Sequence, residues 1–210
     1  MNYQLDPELA PAMAALAAKA ARAPRPTRGD WLAVREVVSA GQAYMATLTP
    51  VSSGVTTTRH ITTTMDGEDE IELRWYTKTG AAPGSAVVYT HGGGILGGSL
   101  DLYDEVISWY VAQTGVPFLS VGLRLAPEAP TSTAMAEDSY SALTWLVNHA
   151  SELGVDHHRI AVMATAAAVA QLPARPSWLV IEACTSPNRS SCTRCSMTAT
   201  QHQAPFPKSC

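Results

Sequence analysis

Ala86-Val87-Val88-Tyr89-Thr90-His91-Gly92-Gly93-Gly94 decides how this chain is read. An apolar run without alternation is the pattern of a strand covered on both faces in a parallel sheet. The glycines after it let backbone N–H groups approach another group closely, because no Cβ stands in the way. Leu102 to Thr114 follows with helical periodicity, Val106, Trp109 and Tyr110 falling on one face, and Gly115 ends it. Strand, glycines and helix in that order put backbone donors where a developing negative charge can be held.

The pattern continues downstream. Val116 to Leu125 reads as a second buried strand. Ala134 to Leu153 reads as a long helix carrying Tyr140, Leu143, Trp145 and Leu146, closed by Gly154. Ile160-Ala161-Val162-Met163 is a third buried strand. Alternating strands and helices predict right-handed βαβ units in a parallel sheet. Upstream, Asp6-Pro7-Glu8 starts a helix over Leu9 to Ala23, which Pro24 and Pro26 end, and Trp31 to Ala46 suits a second helix. Thr56-Thr57-Thr58 and Ile61-Thr62-Thr63-Thr64 favour strand, and Asp66-Gly67 marks a turn. Ile71 to Tyr76 alternates as a half-buried strand should.

Composition bounds the function. The 210 residues suit one domain with a real core, and 46% apolar with 15% charged residues suits a globular one. A net charge of −4 argues against nucleic acid as a partner. No apolar run reaches membrane-spanning length, and Met1 to Glu8 lacks a basic leader, so a cytoplasmic protein is expected. The average hides a split. Residues 1–163 hold 17 acids, 10 bases and no cysteine. Residues 164–210 hold one acid, Glu182, four bases and all 4 cysteines.

Gly92-x-Gly94-x-x-Gly97 also matches a dinucleotide-binding fingerprint. The next strand should then end in an acid for the ribose, and it runs Val121-Gly122-Leu123-Arg124 instead. That reading is the weaker one. A phosphate-binding P-loop fails, because no Gly-Lys-Ser/Thr follows. A glycine loop that merely permits close packing is the plain structural alternative.

Four motifs in order carry a resemblance. They are His91-Gly92-Gly93-Gly94, Leu123-Arg124-Leu125-Ala126-Pro127-Glu128, Glu137-Asp138 leading the helix to Trp145, and Arg159-Ile160-Ala161-Val162-Met163. Over about residues 5–163 the chain resembles the hormone-sensitive-lipase-like branch of the α/β-hydrolases, which are esterases and lipases. It departs at Gly122-Leu123, where the family usually has Asp-Tyr, and at Ala129, usually histidine. The resemblance implies an α/β fold with a mostly parallel sheet and N-terminal cap helices. It implies carboxylic ester hydrolysis without cofactor or metal, on a small ester substrate. A serine on a strand–turn–helix elbow would attack the carbonyl, a histidine would take its proton, and an acid would orient the histidine. The amides of Gly93 and Gly94, in a motif opened by His91 and Gly92, would hold the oxyanion together with the amide after the serine, at Ala167.

The elbow should follow Met163 as Gly-Asp-Ser-Ala-Gly or similar, and the chain has Ala164-Thr165-Ala166-Ala167-Ala168. Ala166 takes the nucleophile position and has no hydroxyl; Thr165 is one residue early and is expected to point away. No residue takes the acid position, and His202, the only histidine after the elbow, has no preceding acid placed to orient it. The C-terminal half of the fold is therefore expected to be missing and the chain to be inactive. The non-catalytic alternative is a truncated pseudo-hydrolase that binds a small apolar ligand or a partner.

The genetic code accounts for the departure. If one base was lost after the codon of Met163, each original codon joins the last base of one present codon to the first two of the next. Met163 and Ala164 then give GGC, glycine. Thr165 permits aspartate, Ala166 permits serine, and Ala167, Ala168, Val169 and Ala170 permit glycine. In the same register Pro176 to Ala183 permits Ala-Leu-Leu-Ala-Arg-Asp-Arg-Gly, the family's usual end to the helix after the elbow. Residues 1–163 are thus expected to be the N-terminal part of a hydrolase domain. Residues 164–210 are expected to be an out-of-frame, disordered tail. The strand at 160–163 would keep an open edge, which favours aggregation. Zinc at Cys192-x-x-Cys195 with Cys184, Cys210 or His202 is the tail's functional alternative, and it lacks a strong second pair.

Overall fold

A computed structural model of the chain describes residues 6–8, 10–22, 25–82 and 84–165. Its elements are α1 (Ala10–Arg22), α2 (Trp31–Ala46), β1 (Val55–Thr63), β2 (Glu70–Lys78), β3 (Gly84–Thr90), α3 (Leu100–Thr114), β4 (Phe118–Val121), α4 (Ala134–His149) and β5 (Val155–Ala164). The five strands form one mixed sheet in the order β1-β2-β4-β3-β5. β4, β3 and β5 run parallel, while β1 and β2 join as an antiparallel hairpin on β4. Among the described residues β5 pairs only with β3, so it forms one edge of the sheet. No described helix is long and apolar enough to cross a membrane.

The core has two sides. Ile71, Leu73, Trp75, Val88, Leu119 and Val121 pack with Ala142 and Leu146 of α4 on one face. Tyr76, Tyr89 and Phe118 pack with Ile107 and Val111 of α3 on the other. With a helix on each face, the central strands are buried throughout, as their unbroken apolar runs predict.

Three local expectations change. β2 is not half-buried: Arg74 and Tyr76, its polar-looking face, are 5% and 1% exposed. α3 lies over them and supplies the partners that make burial tolerable. Arg74 meets Asp101 at 2.5 Å, Asp104 at 2.8 Å and its own strand's Glu72 at 2.7 Å. The Tyr76 hydroxyl donates to Asp104 as well. The buried face of α3 is Ile107 and Val111 with Tyr103 and Tyr110, not Val106 and Trp109; Trp109 is 36% exposed. The second central strand stops at Val121, because the Arg124 side chain and amide turn to Asp138 and draw the chain off the sheet.

Two helix ends follow their sequence signals. Asp30 caps α2 by accepting from the Ala33 amide at 3.0 Å. Ser99 caps α3, and Gly115 ends it in the left-handed region at φ 70°.

Candidate active site

Ligand sites in parallel sheets lie beyond the carboxyl ends of the strands, where loops leave for opposite faces. Here that end belongs to β3 and β5. β3 runs into His91, whose ring is 1% exposed and stacks on Tyr103 at 5.5 Å. Burial holds the His91 imidazole below the usual histidine range, against the opposing pull of its bond to Gly92. Its Nδ1–H donates to the Gly92 carbonyl at 3.1 Å.

The glycines are each required by something specific. A Cβ on Gly92 would sit 2.8 Å from the Thr165 carbonyl oxygen. One on Gly93, at φ 148°, would sit 1.9 Å from the Gly97 carbonyl oxygen, because the Gly97 amide closes a turn back onto Gly93 at 2.9 Å. Gly94 has open space around it, and its requirement is the backbone alone, at φ 64°. Ile95 shares that region at φ 63°, which is costly for a β-branched residue.

The Gly92 carbonyl has two donors, His91 Nδ1 and Gln42 Nε2, the latter at 2.9 Å. A planar trans peptide points its N–H opposite to its C=O. Holding this carbonyl inward therefore turns the Gly93 N–H outward. Among the described residues the amides of Gly93 and Gly94 have no acceptor. Two free donors on a loop at the carboxyl end of a central strand can hold an anionic oxygen.

One face of α2 fixes this loop. Arg35, Val38 and Gln42 are spaced so as to share that face. Arg35 Nε donates to the Leu96 carbonyl at 2.5 Å and Nη2 to the Ala126 carbonyl at 2.8 Å. The same guanidinium forks onto Glu128 at 2.6 and 2.8 Å. Val38 packs so closely on Gly97 that a Cβ there would meet its Cγ1 at 2.9 Å. The neighbouring loop after β4 meets the glycine loop through the Ala126 amide, which donates to the Ile95 carbonyl at 3.0 Å, and Arg124 ties that neighbouring loop to α4. Its amide and Nε donate to fully buried Asp138 at 2.8 and 2.9 Å, and Nη1 reaches Asp69 at 2.9 Å. Burial pushes the Asp138 carboxyl up, against the pull of Arg124.

β5 ends beside the loop. Thr165 donates its amide to the Thr90 carbonyl at 3.2 Å, and its hydroxyl bonds Tyr89 Oη at 3.1 Å. That hydroxyl is thus committed to the α3 side of the sheet. Of the sequence-derived site residues, His91, Gly92, Gly93 and Gly94 come together here. Ala166, Ala167 and the four cysteines with His202 lie outside the described residues. Arg35, Gln42 and Tyr103 join the site without belonging to any motif of the sequence. Local sequence does not single them out, because Arg35 and Gln42 share α2 with Glu36 and Ser39 and only the packed fold brings them to the loop. A depression of about 370 Å³ among Thr77–Ala81, Gly115 and Pro117 opens at the amino ends of the parallel strands, away from this loop.

A central parallel strand, a glycine loop at its carboxyl end whose Gly93 and Gly94 amides have no acceptor among the described residues, and a second strand ending alongside define an α/β protein with a candidate site for an anionic oxygen. Comparison with known proteins carries this further. A family model for the alpha/beta hydrolase fold matches residues 87–167. The ethyl acetate hydrolase of Pseudomonas putida is 46% identical over 84 residues, 40% of this chain and 26% of that enzyme. The hormone-sensitive lipase of Bos taurus is 32% identical over 95 residues, covering 45% of this chain and 12% of the lipase. A solved bacterial heroin esterase superposes with a TM-score of 0.64 at 31% identity, covering 76% of this chain and 48% of that one. The chain has the α/β-hydrolase fold and is similar to esterases of the group that includes hormone-sensitive lipase. It spans about a quarter of the length of the Pseudomonas enzyme and about half of the solved esterase.

Proposed function

We propose that the loop at Gly93 and Gly94 is one side of the oxyanion hole of a carboxylic ester hydrolase. The observation that carries this is the Gly92–Gly93 peptide, its carbonyl held by His91 and Gln42 and its N–H without an acceptor among the described residues. In such an enzyme a serine hydroxyl adds to the ester carbonyl as a histidine takes its proton. The carbonyl oxygen becomes an anion, and the amides of Gly93 and Gly94 donate to it. Collapse expels the alcohol, and water then releases the acid by the same steps. The relatives' printed activity on ethyl acetate and the esterase names of the solved neighbours support an uncharged ester as the substrate class.

This chain does not complete that reaction, because Ala166, which has no hydroxyl, stands at the serine position. Residues 164–210 are an out-of-frame reading of a gene whose frame encodes Gly-Asp-Ser at the elbow. Two features support it: the elbow and the end of the following helix reappear in one register, and cysteines and net positive charge begin where that register is lost.

Hydrolysis of a short-chain nitrophenyl ester decides between the possibilities. The chain as given, its Ala166→Ser variant and the product of the frame-restored gene are compared. Activity is expected only with the frame restored. Turnover by the chain as given overturns the assignment of inactivity, and an inactive product with the frame restored overturns the esterase assignment. Sequencing the transcript across codon 163 tests the lost base directly.

A further inference from the structure

At the opposite end of β5 from the glycine loop, the ladder with β3 breaks. Gly84 pairs with Val155, but Ala86 pairs with Ile160. Two steps on β3 therefore face five on β5, and Asp156-His157-His158-Arg159 is pushed out of the sheet. All four side chains are exposed. In a regular strand His157 and His158 would point to opposite faces. Released from the ladder, their rings instead lie 4.0 Å apart at an interplanar angle of 41°. The His158 amide donates to Asp156 Oδ1 at 2.9 Å, which holds the carboxylate back over the same spot. One nitrogen from each ring and one carboxylate oxygen lie within 4.8 Å of one another.

From this convergence we infer that Asp156, His157 and His158 form a binding site for a divalent transition-metal ion of the zinc or copper type. Two imidazoles and one carboxylate are the donor set such ions take. Tetrahedral ligands at about 2.0–2.1 Å from zinc stand about 3.3 Å apart, so the donors close by about 1.5 Å as the ion enters. Exposed side chains make that movement without disturbing the core. The remaining coordination positions face solvent, so water or a donor from outside completes the shell. The sequence alone suggests no metal here, because only the break in the ladder brings neighbouring histidines to one side. The site is separate from the glycine loop and independent of the ester chemistry proposed there.

The test uses the full chain with its four cysteines alkylated, so that thiols do not compete. Copper(II) is titrated in and followed by electron paramagnetic resonance, and zinc affinity is measured by calorimetry. One copper per chain is expected, with splitting from two imidazole nitrogens. The H157A/H158A double variant should bind both ions at least tenfold more weakly, and Asp156→Asn more weakly by a smaller factor. His60→Ala should bind as the parent does. Unchanged affinity in the double variant places the ion elsewhere, for instance on His202, and overturns the site. A spectrum with fewer than two nitrogens overturns it as well.

Discussion

β3 and β5 are adjacent parallel strands that end side by side, yet their carboxyl ends are specified in different ways. The turn after β3 is held by side chains from two elements, Arg35, Val38 and Gln42 of α2 and Tyr103 of α3, and by the backbone of the loop after β4, whose Ala126 amide donates to Ile95. The elbow after β5 rests, in an α/β-hydrolase, on a short local motif, and in this chain that motif reads Ala164-Thr165-Ala166-Ala167. The difference is one of redundancy. A loop clamped from several sides keeps its shape when a neighbouring segment changes, whereas an elbow encoded in a few consecutive residues would, on the reading proposed above, be lost with a single shift of frame.

The largest effect that can break this comparison is catalytic. Loss of the nucleophile in serine hydrolases of known triads costs about 10⁶-fold in kcat. The frame-restored enzyme should therefore exceed the given chain by at least about 10⁴-fold on a nitrophenyl ester. On the reading proposed above, Ala166→Ser alone should recover none of it. A restored rate with that one substitution would mean that the given chain already supplies a base, and the two strand ends would then be nearly equal in what they preserve.

On the clamped side, Arg124→Ala should cost about 3 kcal/mol in urea denaturation. The substitution leaves a fully buried carboxylate without its cation. The cost sits at the low end for a broken buried pair, because Asp138 is already pushed toward its neutral form and can take up a proton. Two neighbouring glycines sharpen the point. Gly93→Ala would drive a methyl group into the Gly97 backbone, where no side chain can yield, and should cost about 3 kcal/mol. Gly94→Ala meets nothing and should cost about 1 kcal/mol, from its left-handed backbone alone. Equal costs would show that the turn is held less tightly than its contacts suggest.

Much of the fold is legible in the sequence, and the reason is periodicity. Unbroken apolar runs identify β3 and β5, the period of Trp31 to Ala46 marks α2 with its bounds, and Gly115 and Gly154 mark turns. Alternation misleads at β2, because Arg74 looks solvent-facing until α3 brings Asp101 and Asp104 to it. The same happens on α3, where the aromatic Trp109 draws the eye and the smaller Ile107 and Val111 are what the sheet accommodates. His91 and the glycines are readable because they are contiguous. Gln42 is not, since it acts across 50 positions of chain and nothing local marks a polar residue on an alanine-rich helix as a clamp.

His91 should also leave a signature in pH. Its pKa is lowered by burial, so the unfolded chain binds the proton more readily than the folded one. Stability is then full above the unfolded value, about 6.5, and falls as pH drops below it. One proton limits the slope to about 1.4 kcal/mol per pH unit. His60 is lowered too, by burial and then by His149, so the wild-type slope contains both. Urea midpoints at pH 7.5 and 5.5 for His91→Gln and His60→Gln separate them. If the slope is unchanged in His91→Gln, the ring is not held neutral beneath the glycine loop.

The smallest effect expected is at Gln42. Gln42→Ala removes one of two donors to the Gly92 carbonyl, and a neutral hydrogen bond of this kind contributes about 1 kcal/mol. Global stability should fall by that much or less, because the buried Gln42 Oε1 has no partner among the described residues and its removal returns part of the cost. The informative readout is local. With one donor gone, the Gly92–Gly93 peptide is free to rotate, and amide exchange at residues 92–98 should quicken while the α4 amides are unaffected. Gln42→Glu keeps the length but replaces the donor with an acceptor facing a carbonyl, so it should loosen the loop more than alanine does. If exchange at 92–98 is unaltered in both variants, His91 alone sets the peptide, and the clamp from α2 reduces to Arg35 and Val38.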